Sequence, residues 1–338
     1  MRRWGSVVAG LCMAAICGSA AASEVNVYSY RQPELIEPLF KAFTKKTGVK
    51  VNMVYAQAGL LERLKAEGAR SPADIVLSSD LTRLIEVVDA GLSAPVQSPS
   101  LVAAIPAQYR DPDGRWYGLT MRARIIYASK ERVPVDSIRS YLDLAKPEWR
   151  QRICTRPGDH PYNLGLIAGM ISRHGVDKTR AWLLSVKANL AQKPQGNDRS
   201  QVKGIHEGLC DVSLGNTYYM GKMLADPKET AWAQSVYMVF PDQNSGGTHV
   251  NISGATVLKA APNRAEAVKL LEFLATEEAQ RIYADANSEY PVRQDVAPSA
   301  LVAAWGKFKA DTVGLADVAK LQGDALRLVN ETRFNDGP

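Results

Sequence analysis

Three tyrosines in two similar segments have the side-chain type and the spacing to bind a metal cation. Tyr162 lies in the segment 155–163, and the adjacent pair Tyr218 and Tyr219 lies in the segment 215–220. Each segment follows a strand-like run and leads into a helix-like run. The sequence therefore predicts that all three phenols lie in the first turns of two helices, at the carboxyl ends of two strands.

The residues around the tyrosines are typical of helix starts. In the first segment, Asp159 is the predicted N-cap and Pro161 lies in the predicted first turn. In the second segment, either Asn216 or Thr217 is the predicted cap. The N-terminus of a helix carries partial positive charge and therefore favours a negatively charged oxygen beside it.

Ionised phenols at these positions would require a strong cation. The reference pKa of a phenol is about 10, so ionising one at pH 7 costs roughly 4 kcal/mol and ionising three costs roughly 12 kcal/mol. Ferric iron fits this donor set because it is a hard trivalent ion, whereas soft metals favour Cys or Met and calcium favours carboxylates and carbonyls. The alternative is that these tyrosines are half-buried packing residues.

The elements that must position these segments alternate between strand and helix. Strands are predicted at 25–30, 51–55 and 73–77, with helices at 33–46, 60–69 and 81–90. This alternation predicts parallel strands covered by helices on both faces. It resumes after two strand-like runs at 116–119 and 124–129.

The length of the chain predicts two lobes. About 315 residues follow the first 23, which is more than one core usually serves. We expect a first lobe of 24–120 plus about 245–288, and a second lobe of about 121–244 plus 289–338. The predicted fold class is α/β, with mixed sheets and a hinge of crossing strands that closes a cleft between the lobes.

The N-terminus is typical of an exported protein. Arg2 and Arg3 precede an apolar run at 7–16 and small residues at 18–23, which predicts a signal peptide over 1–23 and a periplasmic location. No later run approaches the roughly 18 apolar residues of a membrane helix, so we do not expect the chain to span a membrane. Removing both arginines lowers the formal charge from +6 to +4, a balance that favours anionic ligands without indicating nucleic acid.

Two cysteines remain after the predicted cleavage, Cys154 and Cys210. In an oxidising compartment, an isolated pair of this kind is a candidate disulfide. The alternative is two separate buried thiols.

Several stretches of the sequence resemble the periplasmic ferric-binding proteins of bacterial ABC importers, within the larger family of extracellular solute-binding proteins. These stretches are 27–31, 118–127, 156–158 with 162–163, 197–199 and 216–219. The resemblance covers nearly all of the chain after the signal peptide. It implies a type II-like periplasmic binding fold with Tyr162, Tyr218 and Tyr219 as ligands of Fe(III). It also implies a monomer that is not an enzyme and that delivers iron to an inner-membrane permease and its ATPase.

The first lobe departs from the pattern of that family. Many members have His or Tyr where this chain has Gln32 and Pro33. Three phenolates fill only half of an octahedral sphere, so Tyr30, an anion such as carbonate, or water must complete it. Arg31 and Arg124, with Gln32 as a weaker candidate, would hold the anion or offset the phenolate charge.

A different solute is the main alternative. A polyamine, thiamine or an organic anion would use Tyr218, Tyr219, Trp116 and the arginines as a stacking and hydrogen-bonding pocket. A secreted hydrolase is disfavoured, because the sequence contains no nucleophile elbow, phosphate-binding glycine loop or zinc-protease helix.

Overall fold

A computed structural model describes residues 23–338, and the predicted signal peptide lies outside this part of the chain except for Ser23. The strands are β1 (Glu24–Ser29), β2 (Lys50–Tyr55), β3 (Ile75–Ser78), β4 (Tyr117–Ser129), β5 (Ile153–Cys154), β6 (Val212–Asn216), β7 (Val236–Val239), β8 (Val250–Val257) and β9 (Tyr290–Pro291). The α-helices are α1 (Pro33–Thr47), α2 (Leu60–Glu67), α3 (Leu81–Asp89), α4 (Pro99–Ala104), α5 (Pro161–His174), α6 (Val176–Ala188), α7 (Asp198–His206), α8 (Tyr218–Ala225), α9 (Thr230–Gln234), α10 (Arg264–Leu274), α11 (Glu277–Asn287), α12 (Ala300–Ala303), α13 (Leu315–Lys320) and α14 (Gln322–Glu331).

In residues 23–338, seven strands form one path in the order β2-β1-β3-β8-β4-β6-β5, and β7 and β9 pair with β4 off this path. In the first half, β1 is parallel to β2 and β3, while β8 is antiparallel to β3 and β4. In the second half, β5 is parallel to β6, while β6 and β7 are antiparallel to β4. The chain therefore has the predicted two-lobed α/β fold with mixed sheets.

Each half of the fold has an apolar cluster on each face of its strands. In the second half, Ile126 and Ala128 of β4 enter one cluster, and Ile125 and Tyr127 enter the other. Because successive side chains of a strand point to opposite faces, this alternation buries both faces of β4 beneath helices. Across residues 23–338, no helix combines the length and the apolar character needed to cross a bilayer.

A single long strand, β4, joins the two halves. The prediction of two separate runs at 116–119 and 124–129 is wrong, because β4 continues through the residues between them. Thr120 and Arg122 interrupt the apolar pattern, yet both are buried with polar partners. The hydroxyl of Thr120 donates to the carboxylate of Glu289, for example. Because such partners satisfy buried polar side chains, β4 can continue where its apolar pattern is interrupted.

Two other segments of the chain run beside β4 where it passes from the first half to the second. The backbone N–H of Arg124 donates to the carbonyl of His249, just before β8. Thr248 in turn pairs with the segment 309–311 through the backbone. Its N–H donates to the carbonyl of Lys309, and its carbonyl accepts the N–H of Asp311. The predicted hinge of crossing strands is therefore present, whereas the exact lobe boundaries given above stay a prediction.

Candidate metal-binding site

A cavity of about 310 Å³ is lined by residues from both halves of the fold. The start of α5 and helix α8 contribute His160, Tyr162, Tyr218, Tyr219 and Lys222, and the rest of the lining includes Tyr30, Arg31, Gln32, Asp80, Arg83, Arg122 and Glu289. The three predicted tyrosine ligands thus face one space, together with Tyr30, Arg31 and Gln32. Arg124 is the exception among the predicted site residues, because it lies behind this cavity in contact with a smaller one.

Two neighbouring strands bring the tyrosines together. Since β5 and β6 are parallel and adjacent, their carboxyl ends lie at the same edge of the sheet. Helix α5 then begins at Pro161, which makes Tyr162 its second residue. Helix α8 follows β6 after Thr217 and begins with Tyr218 and Tyr219. The structure therefore confirms that all three phenols lie in the first turns of two helices.

The cap of α5 differs from the prediction. Asp159 is exposed and lies one residue too early, and His160 is the N-cap instead. The Nδ1 atom of His160 accepts the backbone N–H of Tyr162 at 3.2 Å. Burial, assisted by the guanidinium of Arg156, lowers the pKa of His160 to about 3, so the ring is neutral and can accept this bond. Its ring also packs edge-on against the ring of Tyr162, with centroids 4.7 Å apart.

The spacing of the phenol oxygens suits a small hard cation. The hydroxyl oxygens of Tyr162 and Tyr218 lie 3.1 Å apart, and the rings of Tyr218 and Tyr219 lie 4.2 Å apart, centroid to centroid. A small hard cation in octahedral oxygen coordination holds its ligands at about 2.0–2.1 Å, which places neighbouring oxygens about 2.9 Å apart. The Tyr162–Tyr218 pair is thus close to one edge of such a sphere.

Burial keeps the phenols of Tyr218 and Tyr219 neutral until a cation arrives. It raises the pKa of Tyr218 well above its ordinary value, and the adjacent phenol of Tyr162 adds to this effect. Burial also raises the pKa of Tyr219 to about 12, so ionising this group at pH 7 costs on the order of 7 kcal/mol. Only a strongly charged ligand in direct contact with the oxygens can offset such a cost.

Cationic side chains surround the tyrosines. The guanidinium of Arg156 lies 5.0 Å from the centre of the Tyr162 ring, and the ammonium of Lys222 lies 5.5 Å from the centre of the Tyr218 ring. These positive charges lie close enough to stabilise phenolates once a metal has displaced the protons.

Tyr30 occupies the wall of the cavity formed by the first half. Its hydroxyl accepts the backbone N–H of Leu61 at 3.1 Å. The guanidinium of Arg83 lies 4.2 Å from the centre of its ring. Gln32 is exposed nearby, where it precedes α1. Tyr30 therefore contacts groups of the first half and has no hydrogen bond to the Tyr162–Tyr218 pair.

Both predicted anion-binding arginines are buried and form ion pairs with carboxylates. Arg31 forms an ion pair with Glu289 at 2.7 Å. Arg124 forms one with Asp198 at 2.7 Å and also donates to Asn163 at 2.7 Å. Since each guanidinium already has a buried counter-charge, neither offers a full positive charge to a bound anion.

Sequence reasoning missed several residues of the cavity. Lys222 had a usable signal, because it follows Tyr218 by four positions and lies on the same face of α8. Asp80 and Arg83 follow β3, whose carboxyl end points towards the cavity. Glu289 gave no such signal, since its partner Arg31 is 258 positions away.

No second metal site is formed by carboxylate, imidazole or thiol side chains in residues 23–338. In that range, no group of three or more His, Cys, Asp or Glu residues could hold an ion.

The predicted cysteine pair is confirmed as a disulfide between Cys154 and Cys210, with Cα atoms 5.8 Å apart. Each cysteine lies eight residues before a tyrosine of the site, Cys154 before Tyr162 and Cys210 before Tyr218.

A two-lobed α/β fold with a polar cavity between its lobes is typical of proteins that capture a ligand by closing over it. This chain belongs to the bacterial extracellular solute-binding proteins, whose family model matches residues 70–309. It is 42% identical to iron uptake protein A1 of Synechocystis over 91% of this chain and 86% of that protein. It is also similar in structure to the ferric iron-binding protein A of Mannheimia haemolytica in an open conformation. That match has a TM-score of 0.88 and 52% identity, and it covers 93% of this chain and all of the other. A Trichodesmium protein in complex with iron and citrate ligands matches with a TM-score of 0.88 and 39% identity, over 92% of this chain and 99% of its own.

Proposed function

We propose that this chain is the periplasmic binding component of an ABC importer and that it captures ferric iron through the phenolates of Tyr162, Tyr218 and Tyr219. The observation that carries the proposal is the convergence of these three side chains from two helix starts, with two of the hydroxyls 3.1 Å apart. The similarity to iron uptake and ferric iron-binding proteins supports the same metal.

The proposed mechanism is capture and delivery without chemical conversion of the ligand. Iron first meets the tyrosines on the second half of the fold, and the first half then closes over it by bending at the crossing strands. Closure excludes water and strengthens the attraction between the ion and the phenolates. The loaded protein then docks on an inner-membrane permease whose ATPase drives uptake.

A small anion completes the coordination sphere in this proposal. Three phenolates fill half of an octahedron, so carbonate or a carboxylate occupies the remaining positions beside the tyrosines. Arg83 is suited to face such an anion, because no carboxylate of residues 23–338 forms an ion pair with it at salt-bridge distance. Arg31 and Arg124 then stabilise the surrounding structure, in place of the direct anion contact predicted for them.

An absorption spectrum tests the proposed function directly. Adding a ferric chelate to the apoprotein is expected to produce a visible charge-transfer band that saturates at one iron per chain, because phenolate bound to Fe(III) absorbs visible light. The same sample should melt at a higher temperature, since a ligand that binds only the folded state stabilises it by mass action. A colourless protein whose melting temperature rises with thiamine or spermidine instead would show that the cavity serves an organic solute.

Tyr30 supports the cavity wall in this proposal and is not an iron ligand. We expect Tyr30→Phe to retain the visible band at an unchanged wavelength, because the lost hydroxyl contacts Leu61 and the ring that carries Arg83 remains. Spectra of the variant and the parent protein, each titrated to saturation, measure this. A displaced band, or one of lower intensity at saturation, would instead assign Tyr30 to the coordination sphere.

A further inference from the structure

The two tyrosine-bearing segments are held by one buried carboxylate behind the cavity. Asp198 is the first residue of α7, and it is fully buried. Its Oδ1 accepts from the guanidinium of Arg156 at 3.1 Å, and its Oδ2 accepts from that of Arg124 at 2.7 Å. The same Oδ2 also accepts the backbone N–H of Asn216 at 3.0 Å. A single side chain thus joins three separate stretches of the chain.

Two of these bonds lead to Tyr162. Arg156 belongs to the loop before α5, and its guanidinium lies 5.0 Å from the centre of the Tyr162 ring. Arg124 donates at 2.7 Å to the side-chain oxygen of Asn163, the residue that follows Tyr162. Asn163 in turn donates to the carbonyls of Arg156 and of the next residue, which ties the loop to the helix start. Asp198 therefore fixes this segment through both arginines.

The third bond leads to the tyrosine pair. Asn216 is the last residue of β6 and lies two positions before Tyr218. Its backbone is held by Asp198, and its side-chain oxygen accepts from Arg124 at 3.1 Å. The start of α8 is therefore attached to the same cluster of charges as the start of α5.

We propose that Asp198 is a positioning residue for iron, one that sets the separation between the phenol oxygens of the two helix starts before the metal binds. The inference rests on the proposed function, and Asp198 acts through the arginines and Asn216 without contacting the metal. Its single negative charge also partly compensates the two guanidiniums, of Arg124 and Arg156, that face the Tyr162 ring. A neutral side chain in its place would leave both charges free to move towards the phenolates.

Asp198→Asn tests this inference, because asparagine keeps the shape of the side chain and removes its charge. Loss of a partner that orients a metal ligand typically lowers metal affinity by about 10–100-fold. We expect a fall of that size in ferric affinity, measured by competition with citrate, together with a shifted charge-transfer maximum.

The chain offers a matched control in Asp211, which also pairs with two arginines, Arg132 and Arg152. Asp211 precedes β6 and so lies at the end of that strand opposite Asn216. Asp211→Asn should lower the melting temperature and leave both the ferric affinity and the band maximum unchanged. Equal losses of affinity in the two variants, or no loss in Asp198→Asn, would overturn the positioning role.

Arg156→Gln keeps the test decisive if Asp198→Asn fails to fold. It removes one of the three bonds to Asp198 while leaving the ion pair with Arg124 in place. A shifted band maximum and a smaller loss of affinity are expected, and an unchanged band and affinity would overturn the inference. Absence of any band in the parent protein would instead refute the proposed function itself, so the two failures are distinguishable.

Discussion

Tyr218→Phe is expected to lower ferric affinity by at least 100-fold, so that the charge-transfer band is lost in competition with citrate, while leaving the fold intact. The substitution removes one anionic ligand from a trivalent ion and keeps the buried ring. It also removes the partner of the Tyr162 hydroxyl, 3.1 Å away. Because the pKa of Tyr218 is raised by burial, the apoprotein contains a neutral phenol here and should lose little stability when it becomes phenylalanine.

Visible titration and competition with citrate measure this effect, and Tyr162→Phe should behave in the same way. The matched control is Tyr237→Phe, which removes a hydroxyl that contacts backbone carbonyls of Val133 and Pro134 far from the cavity. This control should bind iron like the parent protein. Retained colour in both Tyr218→Phe and Tyr162→Phe would contradict the assignment of these phenols as ligands.

The double variant Cys154→Ala/Cys210→Ala is expected to lower the free energy of unfolding by about 4 kcal/mol. The disulfide spans a sequence separation of 56 residues, and closing a loop of that length removes about this much chain entropy from the unfolded state. Both cysteines are buried among apolar side chains, so alanine leaves only a small cavity.

Urea unfolding of the apoprotein measures this change, with the parent protein in a strong reductant as the control for the loss of the covalent bond alone. The reduced parent and the double variant should have similar unfolding midpoints, both well below that of the oxidised parent. A loss below about 1 kcal/mol would mean that the bond contributes little to stability. Ferric affinity should also fall in the variant, because the disulfide joins the chain near β5 to the chain before β6, the two strands that lead to Tyr162 and Tyr218.

The sequence was most informative where the signal was local. Tyr162, Tyr218 and Tyr219 could be placed at helix starts because a strand, a turn and a cap lie within a few residues of each of them. The prediction for the cap of α5 is wrong by one residue, because His160, which is not a residue type preferred at N-caps, accepts the backbone N–H of Tyr162 from a buried position. Nothing in the local pattern reveals that burial.

Contacts between residues that are distant in the sequence are the main feature that the sequence does not predict. Arg122 made β4 look broken in the sequence, although in the fold it donates to Ser253 and to the carbonyl of Ser79. Likewise, Asp198 stood in a stretch marked only by family resemblance, and its bonds to Arg124 and Asn216 depend on how the second half folds. Buried polar residues satisfy one another across the whole fold, so their partners cannot be read from spacing alone.

The C-terminal helix α14 packs on the second half of the fold, whereas the N-terminal strand β1 lies in the first half. Helix α14 packs against α5 in the second half, whereas β1 pairs with β2 and β3 in the first. Strand β1 and helix α14 therefore lie in different halves of the fold. A donor and an acceptor dye attached near β1 and on α14 would report domain rotation as a change in energy transfer, with no label near the cargo.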